Sequence, residues 1–81
     1  MTALEILKNA FVTGLGIDPD QTSWEELEYR SIPQWDSVAH MQVVAEIEDA
    51  FDIMLDIDDV IGMSSFDVSK VIVAKYGVDF D

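Results

Sequence analysis

Eighty-one residues suffice for one domain and not for two. No cysteine is present, so no disulfide staples the fold and no protein thiol does chemistry, while a hydrophobic fraction of 49% is enough for one compact core. Seventeen acidic residues against four basic ones give a net charge of −13, a field that repels nucleic acid and anionic lipid and argues against both as partners.

The first predicted element is a helix over residues 2–15. Leu4, Leu7, Phe11 and Leu15 fall on one stripe at helical spacing. Thr2 and Glu5 have the spacing of a capping box, and Gly14 and Gly16 supply the stop. Residues 17–35 show no sustained period. Asp18-Pro19-Asp20 and Pro33 mark turns, and a loop of this length in a small domain is functional or packed. Ser23 and Glu26 repeat the capping-box pattern, which predicts one helical turn inside the loop. Trp24 and Leu27 are expected to pin that turn to the core, and Trp35 to do the same at the loop's far end.

The strongest helix is predicted over residues 36–54. Val43, Val44, Ile47, Ala50, Phe51 and Met54 recur at three and four residues and define its core face. Val38, Met41 and Ala45 form a second stripe, offset to one side. A wide core face accounts for them, and so does a small exposed apolar strip of the kind that marks interaction sites when acids rim it. Residues 58–63 read as one or two helical turns. Ser64 or Ser65 then caps a last helix over 65–76, with Phe66, Val68, Val71, Ile72 and Tyr76 as its apolar residues and Gly77 as its stop. The tail, residues 78–81, is expected to fray. The fold class is therefore all-α: a single-domain four-helix bundle over 1–81, with three longer helices, a short third helix and a long first loop. No internal repeat, low-complexity segment or convincing strand is found.

Three chemistries are conceivable on these elements. Asp56-x-Asp58-Asp59 resembles part of a calcium loop, but Val60 and Ile61 stand where that loop needs an oxygen ligand and a glycine, so no metal site is expected. Ser37 and His40, the lone histidine, lie one helical turn apart. A serine nucleophile also needs an oxyanion hole and an oriented base, and no Gly-x-Ser-x-Gly elbow is present, so no catalytic residue is assigned. His40 is expected to pack against the first loop. Ser37 remains. Asp36 is a good N-cap, which makes Ser37 the first residue of its helix, with an exposed hydroxyl beside unpaired backbone N–H groups. Those groups and the helix dipole favour a phosphate there.

The segment "WDSVAHMQVVAEIEDAFDIML", Trp35 to Leu55, resembles the acyl carrier proteins. Their hallmark Asp-Ser-Leu at the start of the second helix reads Asp36-Ser37-Val38 in this chain, and the resemblance extends over nearly all 81 residues. It implies an acyl-carrier-type bundle and a 4′-phosphopantetheine arm on Ser37, placed there from coenzyme A by a phosphopantetheinyl transferase. Acyl groups would ride on the arm's thiol as thioesters, and the carrier itself would not be an enzyme. The resemblance implies that Asp36 presents the site to the transferase. It assigns Val38, Met41, Ala45, Glu48, Asp49 and Met63 to contacts with acyl-loading and acyl-processing enzymes, whose basic patches would suit the acidic surface. Carriers of primary fatty acid synthesis usually have acids two and five residues after the serine, where this chain has Ala39 and Gln42. The wording is closer to stand-alone carriers of dedicated pathways, such as polyketide or nonribosomal peptide routes. An unmodified acidic interaction module is the alternative from another class. No apolar run approaches a membrane span, and no basic region followed by an apolar stretch opens the sequence. The expectation is a cytoplasmic monomer without membrane insertion.

Overall fold

The fold starts with the capping box at Thr2. Its hydroxyl accepts from Glu5 N, and the Glu5 carboxylate accepts from Thr2 N at 3.2 Å, so two orphan donors of the first turn are satisfied. The computed structural model describes residues 1–80. They form four α-helices, α1 (Ala3–Leu15), α2 (Ser37–Phe51), α3 (Ile57–Gly62) and α4 (Phe66–Ala74), with 3₁₀ turns at Pro19–Gln21 and Trp24–Glu26. Among the described residues there is no strand, only an isolated antiparallel bridge between Glu28 and Ser65.

α1 packs along α2. Leu7, Phe11 and Leu15 are buried, as the periodicity requires, and meet Val43, Val44 and Ile47 in one core. Gly16, at φ 68°, closes α1 in the left-handed conformation that glycine adopts without a steric cost. Gly14 has a different role from the stop expected of it. It lies inside α1, and a Cβ there would stand 2.7–2.8 Å from Val43, so the missing side chain sets how closely the two helices approach.

The long loop is packed rather than free. Leu27 is buried, Trp24 lies against Phe66 with ring centroids 4.8 Å apart, and Trp35 is fully buried edge-on to Phe11 at 5.3 Å. Backbone bonds tie it down as well: Tyr29 N donates to Ser64 O, and Phe66 N donates to Leu27 O, both at 2.9 Å. The expected capped turn at Ser23 is a 3₁₀ turn in which Ser23 makes no side-chain cap.

α2 stops three residues short of its predicted end. Asp52 takes φ 53° and ψ 50°, and the backbone turns out of the helix there, with Ile53 N donating to Glu48 O at 3.1 Å. The apolar spacing continues past this point, but Asp tolerates the left-handed region and needs no glycine to end a helix. Met54, beyond that turn, is consequently exposed rather than core, and Ala50, still within α2, is exposed as well. Ser65 caps α4 by accepting from Val68 N at 3.0 Å. Val71, expected to face inward, is exposed, while Ser69 is fully buried and donates to Phe66 O. The tail does not fray as expected through residue 80: Val78 and Phe80 pack on the core, and the Phe80 ring meets Phe51 at 6.2 Å. Asp81 lies outside the described residues.

Candidate functional site

The site is built at the N-terminus of α2. Trp35 anchors the end of the loop in the core, so the chain leaves the interior at residue 36 and enters the helix at the surface. Asp36 adopts extended backbone, and its carboxylate accepts from Ala39 N at 2.8 Å. His40 N donates to Asp36 O at 2.8 Å. Ser37 is therefore the first helical residue, and it is exposed. The N–H groups of Ser37 and Val38 have no partner among the described residues, which leaves two donors at the positive end of the helix dipole.

Ser37 opens onto a shallow, apolar groove of about 360 Å³ between α2 and α3, lined by Tyr29, His40, Met41, Val60 and Ile61. That size is near the lower end of the roughly 300–1,000 Å³ typical of small-molecule pockets. His40 forms the inner wall. Trp35 Nε1 donates to His40 Nδ1 at 3.0 Å, so the ring's proton sits on Nε2 and is donated to Val60 O at 2.7 Å. The Tyr29 ring stands edge-on to His40 with centroids 5.5 Å apart. His40 thus joins the loop, α2 and α3, which fits its expected packing against the loop and leaves Nδ1 occupied.

Of the partner-facing residues expected on α2, Val38 is 70% exposed and Met41 54%, and Ala45 and Asp49 are exposed beside them. The offset stripe is a surface strip, not an extension of the core. Glu48 is only half-exposed, because its carboxylate accepts from Leu55 N at 2.9 Å and organises the turn after α2. Met63 is a correction. It follows α3 rather than lying in it, and at 1% exposure it is a core residue that no partner can touch. The exposed apolar residues of this region are Met54, Ile57 and Ile61, at 74–82% exposure. They were legible in principle as apolar residues at three- and four-residue spacing among acids, but nothing in the sequence sets Ile61 outward and Met63 inward.

No residue of α3 is buried, and polar contacts hold it in place. Besides His40, Asp59 accepts from Lys75 at 2.5 Å and from the Tyr76 hydroxyl at 2.6 Å, while that hydroxyl accepts from Asp56 N at 3.0 Å. The Lys75 ammonium, and next the Tyr76 hydroxyl, hold the Asp59 carboxyl below the ordinary carboxylate range. The acid-rich start of α3 is thus part of a latch to the end of α4. Among the described residues no three His, Asp or Glu side chains converge to hold a metal ion, and no helix is long and apolar enough to cross a membrane.

Comparison with protein-family models, with curated proteins and with solved structures finds no match for this chain.

Proposed function

We propose that this protein is a carrier bearing a 4′-phosphopantetheine arm on Ser37. The observation that supports this reading best is the exposed Ser37 hydroxyl at the start of α2, beside two unpartnered N–H groups and at the mouth of an apolar groove. In the loading step Ser37 Oγ forms a bond to the phosphorus nearer the pantetheine, and the pyrophosphate bond of coenzyme A breaks. Adenosine 3′,5′-bisphosphate leaves, and the serine proton passes to the transferase. The residues present fit such a group. Ser37 offers an exposed hydroxyl as nucleophile, and the free N–H groups of Ser37 and Val38, at the positive end of the helix dipole, would favour the negative charge of the phosphodiester. Once bound, the arm supplies a thiol that holds acyl groups as thioesters. Val38, Met41 and Ala45 then form an apolar contact strip, with Asp36 and Asp49 as its acidic rim. A strip of this kind suits weak, electrostatically oriented docking to successive enzymes with basic patches. Ala39 and Gln42, where carriers of primary fatty acid synthesis usually have acids, favour service in a dedicated biosynthetic pathway, in the cytoplasm.

The test is the intact mass after incubation with coenzyme A and a broad-specificity phosphopantetheinyl transferase. The expected result is a gain of one arm in the wild type and none in Ser37→Ala. No gain with several such transferases removes the reading. One observation favours a second reading: the exposed apolar residues extend to Met54 and Ile57, beyond the groove. An interaction module that carries no arm would use that larger surface. It predicts that Met41→Asp abolishes partner binding while Ser37→Ala is fully functional in the cell.

A further inference from the structure

An apolar cargo held at Ser37 would leave water if the fold offered it an interior. The groove is where such a route would begin, and its inner end is closed. His40 crosses it with both ring nitrogens engaged, Nδ1 by the Trp35 indole and Nε2 by Val60 O. The His40 and Trp35 rings lie nearly parallel, 16° apart in plane with centroids at 6.1 Å, so the wall is two aromatic rings deep. Behind it the interior is filled. Trp35 is fully buried and meets Phe11 edge-on, and Phe11 in turn meets Phe66 at 5.1 Å. The gap between α1 and α2 is closed by the approach of Gly14 to Val43.

We infer that the Trp35–His40–Val60 bridge closes the interior to cargo, so that this chain carries short or polar acyl groups at its surface, and that His40 sets that limit. The inference rests on the carrier reading. The groove has room for the root of an arm or a short acyl group against Met41, Val60 and Ile61. A longer alkyl chain finds no buried path and stays in water. His40 is a positioning residue in this scheme: it acts by holding α3 and Trp35 together across the groove. Glutamine in its place keeps an acceptor for the indole N–H and a donor for Val60 O, whereas alanine keeps neither.

The experiment loads the full chain from acetyl-, butanoyl-, octanoyl- and dodecanoyl-coenzyme A with a broad-specificity transferase, verifies each product by intact mass, and measures its Tm. The expected wild-type Tm is flat to within about 2 °C, because a chain left in water adds nothing to the folded state. In His40→Ala the space of the imidazole opens against Trp35, and burial of roughly two methylenes there raises Tm by about 6 °C or more from butanoyl to octanoyl. His40→Gln restores the flat profile. If His40→Ala does not fold, His40→Asn, too short to span from Trp35 to Val60 O, takes its place. A wild-type Tm that climbs with chain length overturns the closed interior, whatever the variants do. A flat profile in the alanine or asparagine variant, or a climbing one in His40→Gln, overturns the role of His40. Absence of any mass gain instead removes the carrier reading, and this inference with it.

Discussion

The Trp35 indole N–H donates to His40 Nδ1 at 3.0 Å, from a tryptophan with no exposed surface to a histidine that lines the groove. That bond fixes the neutral tautomer with its proton on Nε2, where Val60 O receives it. His40→Phe keeps the aromatic volume but strands the indole N–H and the carbonyl. Leaving partly buried polar groups unpaired costs about 1–3 kcal/mol. Urea denaturation is expected to show a loss in that range, and His40→Gln a smaller one. Nitrogen NMR of the wild type at neutral pH should report the Nε2–H form.

The latch between α3 and α4 is sensitive to acid. The folded-state pKa of Asp59 is lowered by Lys75 first and Tyr76 second. Its contribution is therefore fully present above the unfolded carboxylate value, near 4, and is lost as pH falls through the lower folded value. The stability difference between wild type and Asp59→Asn should be constant from about pH 5 to 8 and should close below about pH 4. A difference that does not change across that lower range would show that the latch contributes through shape rather than charge.

Gly14 and Gly62 make a matched pair. Ala is favoured over Gly inside a helix by about 1 kcal/mol, which predicts stabilisation at both positions on propensity alone. At Gly14 the new Cβ would meet the Val43 backbone at 2.8 Å, and backbone does not give way as a flexible side chain does. Overpacking of this kind costs about 1–3 kcal/mol, so Gly14→Ala should lower stability. At Gly62 nothing lies within 4 Å, and Gly62→Ala should be neutral or stabilising by up to about 1 kcal/mol. Chemical denaturation of the two variants side by side checks both signs.

Met63 and Ile61 are two residues apart and opposite in exposure, 1% against 76%. Met63→Ala should cost about 2–5 kcal/mol by leaving a cavity. Ile61→Ala should change stability by no more than about 0.5 kcal/mol. If the proposed docking surface includes α3, Ile61→Asp should weaken capture by the proposed acyl-processing partner while the fold, read by circular dichroism, is unchanged. Unchanged capture would restrict the docking surface to α2.

The sequence by itself determined the starts of α1 and α2. Thr2 and Asp36 cap as their residue types dictate, because a cap is a contact across three residues and is local in the chain, while at α4 the choice between Ser64 and Ser65 was settled on Ser65 only by the structure. It also determined that Leu7, Phe11, Val43 and Ile47 would be buried, since the 3.6-residue period projects directly onto one face of each helix. Exposure of Ser37 followed from the same two facts. The tertiary structure decided the rest. The end of α2 depends on a left-handed Asp52, a conformation that aspartate adopts in some settings and not in others. The roles of Gly14 and Met63 depend on which helix lies across from them, and six residues of α3 are too few for a period to show a face. His40 is the clearest case. Its two bonds reach five residues back to Trp35 and twenty forward to Val60, and only the packing of loop, α2 and α3 brings those three groups together.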